Sequence, residues 1–362
     1  MRRVALALAG LGLAYILFWP IPLDPRAAAV TPPPAAQGIL APNDALSGAE
    51  LVAMPGGAIG PEDIAAFADG RVYTTVLGGG LYRIDGDEGP RLVEELGGRP
   101  LGLDAGPDGA LYIADSFRGI LRWQPGQGAQ VLADRIDGAQ IVYANQLDVA
   151  RDGTVYFSNS SDRFDPRTLG GTKPTSVMTI WEQSDTGYVA RVTPSGAVER
   201  VATGFVYTNG VALSPEEDFL IVAETGRARL HRVWLQGDRK GQTEVLVDSL
   251  PGYPDNIEPV GDGTYWVALA SPRVAAEALM AYPFLRRIVW RLGPSVRPAP
   301  VAEGQVIQID GSGRILRYLR DATGRIGLTT GASMVGDLLH ITTLDSPHFA
   351  RIPATDLPPR SQ

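Results

Sequence analysis

Four side-chain oxygens recur at one register along the chain. Glu62, Asn145 and Asp255 each stand seven residues before an Asp-Gly dipeptide (Asp69-Gly70, Asp152-Gly153 and Asp262-Gly263), and Asn209 stands eight before Glu217. Each opens a strand-like run: EDIAAF, NQLDVA, NGVALS and DNIEPV. Two carboxylates and two carboxamides brought to one point make a hard-oxygen site, suited to a Ca²⁺-like or other divalent cation that keeps open positions for water or substrate. Taken singly, each has an ordinary structural use: Asn209-Gly210 as a turn dipeptide, Asp255 after Pro254 as a turn cap, Glu62 as a surface acid. Recurrence in four units is what marks them as a site. The matching positions of two further units, Leu101 and the stretch around Thr330 and Gly331, carry no ionisable group, so one side of the site is expected to be apolar or small.

Other chemistries lack their residues. The chain has no cysteine, which excludes disulfides, thiolate nucleophiles and cysteine-held zinc or iron–sulfur centres. His231, His340 and His348 all lie off the recurring register, and no G-x-S-x-G nucleophile turn is present. Lys+Arg of 32 against Asp+Glu of 40 gives a net charge of −8, spread along the chain, so the composition argues against nucleic acid and acidic lipid as partners.

The elements that must position these oxygens are short strands. Gly 43 and Pro 29 make about one residue in five of the 362 a turn former, which excludes a mainly helical fold. Turn signals recur at Asp69-Gly70, Asp108-Gly109, Asp152-Gly153, Glu217-Asp218, Asp262-Gly263 and Gly336-Asp337. Each is followed by a β-rich run: VYTTV, LYIAD, VYFSN, FLIVAE, YWVALA and LLHITT. A third strand is expected at GLYRID, GILRWQ, YVARVT, RLHRVW and RILRYL. Repeated small antiparallel meanders of this size predict an all-β, six-bladed β-propeller over 44–362. A strand near 45–54 would complete the sixth sheet and close the ring. Two long intervals are insertions, near 163–187 and 272–298, and AAEALMAYPFLRRIVWRL in the second is expected to be helical. That insertion reads as a packing cap, a lid or a membrane-surface contact.

Arg2-Arg3 precede an uncharged stretch from Val4 to Leu23, about enough to cross a ~30 Å hydrocarbon layer. It predicts a single-pass anchor over 1–23 with the rest of the chain on the extracytoplasmic side, because the arginines stay inside. The competing reading is a cleaved signal peptide, with Arg26-Ala27-Ala28-Ala29 offering a small-residue site and a secreted product. Residues 24–43 are rich in Pro and Ala and read as a semi-extended tether.

The stretches YANQLDVARDGTVYFSNSSDRF (143–164), YTNGVALSPEEDFLIVAETGRARLHRVWLQG (207–237) and LPGYPDNIEPVGDGTYWVALASPR (250–273) resemble strictosidine synthase-like proteins, above all those of the adipocyte plasma membrane-associated type. The resemblance covers about 55–352 and implies a six-bladed propeller. The wider superfamily includes gluconolactonase/regucalcin enzymes and paraoxonases, and similarity to these implies a catalytic calcium in the channel. Its ligands would be Glu62, Asn145, Asn209 and Asp255 together with Asn256. Two departures matter. Paraoxonases carry a histidine where this chain has Leu101-Gly102, and strictosidine synthases use an acidic residue in the last blade, whereas 327–336 contains none. Pictet–Spengler condensation by a carbon–nitrogen lyase is therefore the least favoured activity.

The expected function is metal-dependent hydrolysis of a lactone or ester, of the lactonase/arylesterase kind, with Asp255 or Glu62 as the base. Leu101, Phe117, Tyr188 and Trp266 are the expected substrate-contacting walls. The alternative is a membrane-anchored, non-catalytic binding propeller with a structural metal. The sequence does not specify an oligomeric state.

Overall fold

The computed structural model describes residues 1–297 and 299–361. Among these residues, six four-stranded antiparallel sheets form the blades of a propeller. Blade one comprises Ile64–Ala66, Val72–Thr75, Gly80–Ile84 and Pro90–Glu95; blade two, Pro100–Ala105, Leu111–Asp115, Gly119–Gln124 and Gly128–Ala133. Blade three comprises Ala144–Val149, Val155–Asn159, Gly187–Val192 and Val198–Phe205; blade four, Thr208–Leu213, Phe219–Glu224, Arg229–Trp234 and Thr243–Val247. Blade five comprises Gly252–Pro259, Thr264–Pro272, Gly304–Asp310 and Ile315–Asp321. Blade six joins Thr329–Val335, Leu338–Thr343 and His348–Pro353 to Glu50–Ala53, which pairs antiparallel with His348–Pro353 and closes the ring as expected. RILRYL is displaced from its expected place. It belongs to the fourth strand of blade five, because the insertion after Pro272 precedes the third.

The turns form for the reason the sequence suggests. Gly70, Gly109, Gly153 and Gly263 have φ of 86°, 75°, 84° and 82°, a left-handed conformation that costs glycine little. The preceding Asp69, Asp108, Asp152 and Asp262 each accept the main-chain N–H two residues on. In blade four Glu217 takes the left-handed position at φ 56°.

The first strand of each blade contacts the first strand of the next, all the way round. These innermost strands are buried on both faces, as in Thr208–Leu213, whereas outer strands such as Pro90–Glu95 are largely exposed. Apolar clusters fill the spaces between neighbouring sheets, one for each of the six interfaces. Blade-on-blade packing of this kind is the main source of stability.

Both insertions leave from the turn between second and third strands, the end of the propeller at which the first strands begin. The insertion near 163–187 contains helix α2, Thr172–Glu182, and that near 272–298 contains helix α3, Pro283–Arg291, after a short 3₁₀ turn, Ala275–Leu279. The expected single helix is thus broken in two, and Pro283 sits in the first turn of α3, where its missing N–H is harmless. Trp181 and Met178 of α2, Met280, Phe164 and Leu23 form one apolar cluster that joins the insertions into a cap.

Helix α1 covers Arg2–Phe18. The spanning segment expected over Val4–Leu23 is not helical throughout, and among the described residues no helix is long and apolar enough to cross a membrane. At 1.5 Å per residue α1 reaches about 26 Å. Pro20 and Pro22 stop it, and Leu23 is buried against the cap instead. Residues 24–43 are irregular apart from a 3₁₀ turn at Gly38–Leu40, yet they are bound along the cap and, through Asn43, to Tyr318 of blade five rather than free. Arg26 and Ala28 N–H donate to the carbonyls of Glu182 and Met280, and the Ser249 hydroxyl donates to Pro32.

Candidate functional site

In five of the six innermost strands the ladder slips at one place: between Pro100 and Leu103, Ala144 and Leu147, Thr208 and Val211, Pro254 and Ile257, and Thr329 and Ala332. In blade one the strand starts at Ile64, just after the equivalent pair. A β-bulge inserts an extra residue and re-aims side chains. The bulged pairs are Leu101-Gly102, Asn145-Gln146, Asn209-Gly210, Asp255-Asn256 and Thr330-Gly331, with Glu62-Asp63 equivalent. The first members are the positions picked out by spacing. The second members alternate around the ring: Asp63, Gln146 and Asn256 in the odd blades, glycine in the even ones. Crowding explains the glycines. A Cβ on Gly102 would lie 2.5 Å from Gln146 Cα, and one on Gly210 2.6 Å from Asp255 O.

Glu62, Asn145, Asn209, Asp255 and Leu101 line a single cavity of about 190 Å³. Its other walls are mainly apolar and come from the cap, including Val177, Ile180 and Trp181 of α2 and Val274 and Met280. Glu62 is buried, not a surface acid, and Asn209 lies in a strand, not a turn. The Glu62 main-chain carbonyl accepts from the hydroxyls of Thr330 and Thr342 at 2.8 and 2.9 Å and from Asn256 Nδ2 at 3.4 Å. A clamp repeats beneath the donors: Asp115, Asn159 and Glu224, each ending a second strand, accept the N–H of Arg99, Tyr143 and Val206, just ahead of the bulges.

Three other expected contacts lie elsewhere. Tyr188 is on the third strand of blade three, buried in the core between blades two and three under the Arg200 guanidinium, 4.0 Å from its ring centre. Trp266 belongs to the core between blades five and six. Phe117 sits in the turn after Asp115, where its carbonyl accepts from Arg167. None of the three rings is among the residues that line the cavity.

Spacing alone did not reveal Arg99. It is buried in blade two, with Nη2 donating to Glu62 Oε2 at 2.7 Å and Nη1 to the Pro100 carbonyl at 3.1 Å. Burial pushes the Glu62 carboxyl up and the Arg99 charge pulls it back, leaving it above its usual range. Burial, then the Glu62 charge, raise Asp255 well above the ordinary carboxylate range, while a hydrogen bond from Asn209 opposes the shift. Tyr207 also lines the cavity. Tyr143 donates to the Thr172 carbonyl at 2.7 Å, so its single proton is spent and Tyr207 donates to Tyr143 across 2.8 Å. This hydroxyl pair ties the ring to the start of α2.

The donor set was tested against a cation. Asn145 Oδ1, Asn209 Oδ1 and Asn256 Oδ1 are all buried without a hydrogen-bond partner. An orphaned buried acceptor costs about 1–3 kcal/mol, so three from adjoining positions of one ring need a common explanation. Oxygen donors beside two carboxylates fit a hard divalent cation. Among the described residues no group of three or more His, Cys, Asp or Glu side chains could hold a metal, so carboxamides would supply most of the side-chain donors.

Deeper in the channel Asp63, Asp104, Asp148 and Glu258 form a second acidic layer. Asp63, Asp104 and Asp148 accept the N–H of Leu103, Val149 and Leu213 of the next blade at 2.9, 2.8 and 2.7 Å, and Gln146 Nε2 donates to Glu258 at 2.6 Å. These are bolts between blades. Burial pushes all four carboxyls up, Asp63 to about 7.

A polar ring at one end of the channel, roofed by an apolar cap, defines a six-bladed propeller with a small-molecule-sized cavity on its axis. Family descriptions agree: "Strictosidine synthase-like, N-terminal" matches residues 38–84 and "Strictosidine synthase" residues 145–238. The adipocyte plasma membrane-associated protein of Mus musculus is 31% identical over 378 aligned positions, covering 97% of this chain and 88% of the relative. Strictosidine synthase-like protein 13 of Arabidopsis thaliana is 34% identical over 242, covering 64% and 58%. The chain belongs to the strictosidine synthase-like family, together with the adipocyte plasma membrane-associated proteins. Among solved structures, a gluconolactonase of Xanthomonas campestris superposes with a TM-score of 0.62 at 19% identity, covering 93% of this chain and 97% of that one. A regucalcin of Agrobacterium tumefaciens gives 0.57 at 17%, covering 86% and 93%. At these identities the likeness is one of fold.

Proposed function

We propose that the chain is a divalent-cation-dependent hydrolase of lactones or esters, calcium being the cation its oxygen donors suit best. The observation that carries the reading is the set of unpartnered amide oxygens of Asn145, Asn209 and Asn256: Asn145 and Asn209 line the apolar-walled cavity with Glu62 and Asp255, and Asn256 follows Asp255 in its bulge. The donors of the cation would be Glu62, Asn145, Asn209, Asp255 and Asn256. A bound divalent cation supplies electrophilic polarisation of a carbonyl and acidifies water. The chain's own residues do the rest. Leu101, Ile180, Val274 and Met280 pack the apolar part of the substrate and exclude bulk water. Arg99 holds Glu62 Oε2, leaving Oε1 for the cation. The Asp255 carboxylate, which ionises when the cation binds, would accept the proton of the attacking water at one of its oxygens.

The absence of any histidine from the cavity lining, together with relatives named for membrane association, favours a second reading: a binding propeller in which the cation is structural. One experiment separates the two. The purified full chain is analysed for bound metal and assayed on lactones and aryl esters with and without chelator. Activity lost on chelation and restored by Ca²⁺ supports the hydrolase; a chelator-induced fall in melting temperature with no hydrolysis of any substrate selects the binding module. On the hydrolase reading the propeller lies on the extracytoplasmic side, with α1 as its membrane attachment.

A further inference from the structure

The insertion that roofs the cavity has its polarity reversed. In α3 the arginine is the buried residue: Arg286 is fully covered and donates to the carbonyls of Trp181, Arg26 and Met280. Val289 and Trp290 pack against the cap, but other apolar residues around it face outward. Tyr282 is 57% exposed, Phe284 58%, Leu285 42%, Leu292 45% and Val296 52%. Scattered exposed apolar residues are normal, but a cluster from the single stretch 282–296 marks an interaction surface.

Three observations identify what covers it. First, the patch is continuous with α1, whose side chains are nowhere buried and whose apolar character no protein neighbour satisfies. Arg291 at the end of α3 donates to the carbonyls of Trp19 at 2.6 Å and Ile16 at 3.1 Å, fixing the C-terminal end of α1 beside α3. Phe18 and Trp19, 77% and 58% exposed, therefore extend the same face. Second, the net charge of −8 is not shared locally: residues 278–302 contain no carboxylate, and although Arg286 is buried and Arg287 is paired with Asp24 at 2.6 Å, Arg291 and Arg297 leave the face weakly basic. Third, aromatic and basic side chains meet at the edge of the patch: the Arg297 guanidinium lies over the half-buried Trp290 ring at 3.6 Å, and Tyr282 is exposed on the same insertion, a mixture that suits the headgroup level of a bilayer.

We infer that the insertion, over its described residues 272–297, is a second membrane contact, lying in the interface plane of a lipid bilayer beside α1, with Phe284 and Leu285 entering the acyl region. Its inner side, through Met280, walls the cavity. The cavity is thereby held within about one helix diameter, ~10 Å, of the lipid. An apolar ligand would reach it from the bilayer. The inference does not depend on hydrolysis; a binding propeller would use the same face.

The absence of cysteine makes the test direct. Leu285→Cys and, as a control on an outer strand far from the cap, Val245→Cys are each labelled with an environment-sensitive fluorophore in the full chain. The chains are mixed with vesicles of phosphatidylcholine and phosphatidylserine, with and without lipids carrying a quencher near the headgroup. The expected result is a blue-shifted, brighter emission at 285 that quencher lipids suppress, with no change at 245. Unchanged emission at 285 in chains that still sediment with the vesicles through α1 would overturn the inference. So would emission at 285 that rises with protein concentration without vesicles, because a second copy of the chain would then cover the face.

Discussion

Replacing Glu62 by glutamine keeps its size and acceptor oxygen but removes the charge that Arg99 is paired with. Both side chains are nearly inaccessible, at 3% and 5% exposure, and the Nη2–Oε2 distance is 2.7 Å. In Glu62→Gln the guanidinium stays ionised, keeps the Pro100 carbonyl, and leaves its Nε unpartnered as it already is. Breaking one side of a buried pair costs about 3–5 kcal/mol. The lower end applies here, because Asp255 also senses Arg99 and can release its proton to compensate in part. With an unfolding entropy of about 2 cal/mol/K per residue over roughly 310 folded residues, 3 kcal/mol lowers Tm by roughly 5 °C.

Arg99→Met should cost less, since burial lets the lone Glu62 take up a proton. The double variant should recover part of the loss, giving a coupling of about 2 kcal/mol or more. The measurement is a thermal and urea double-mutant cycle on the full chain in chelator. Additivity within about 0.5 kcal/mol would refute the claim that Arg99 holds Glu62 in place. Titration with Ca²⁺ adds an independent arm: Glu62→Gln loses the cation-induced rise in Tm, and Arg99→Met binds the cation more tightly because a competing positive charge is gone.

In chelator, stability should fall as pH rises from about 4 through about 7. Asp63 keeps its proton to about pH 7 when folded, while its unfolded carboxyl loses it near its ordinary value of 3.8; the folded state then binds more protons, and each such group contributes a slope of up to about 1.4 kcal/mol per pH unit. A Tm that climbs over this range would contradict the buried acidic layer. Cation affinity should rise with pH, with proton release on binding, because Asp255 must ionise to act as a ligand; calorimetry in buffers of different ionisation enthalpy reads the proton directly. Gly102→Ala should destabilise by about 1–3 kcal/mol by overpacking against Gln146, whereas Gly48→Ala, with nothing within 4 Å of the new Cβ, should change stability little; equal effects would remove the crowding explanation of the alternating glycines.

Strand positions were legible because Asp-Gly turns and β-branched runs act locally. LYIAD, VYFSN, FLIVAE and LLHITT coincide with observed strands, residue for residue. The axial register was legible because a repeat copies position as well as type. Helix α2 was not: Thr172 to Glu182 contains Pro174 and three threonines and has little amphipathic signal, and it is held by packing of Met178 and Trp181 in the cap. Tyr188 and Trp266 were misplaced as walls since apolar periodicity states that a side chain is covered, not which neighbour covers it. Only the first strand of a blade reaches the axis. The bulges escaped notice for a different reason. A slip of the ladder lets both members of a pair such as Asp255-Asn256 serve the ring, and no residue type encodes it alone, although aligning the six units shows glycine at every second blade.

The charge balance of the ring bears on what kind of cation site this would be. Without a cation Glu62 is offset by Arg99, and Asp255 holds a proton through burial and the nearby Glu62 charge. The ring is then close to neutral, as a site with so little access to water must be. On the proposed reading Asp255 would give up its proton when a divalent cation binds, the added charge would lie near the Arg99 guanidinium, and Asn145, Asn209 and Asn256 would be neutral donors. Sites with more carboxylates bind calcium far more tightly, and affinity is tuned by ligand charge and rigidity. On the proposed reading this ring belongs at the weak end of that scale, where extracellular calcium modules operate at about 10⁻⁴–10⁻³ M. A neutral resting state also explains how three orphaned amide oxygens persist: the glycine-packed, bulged strands hold them in place whether or not a cation is bound, so occupancy should follow the calcium concentration outside the membrane and not the folding of the blades.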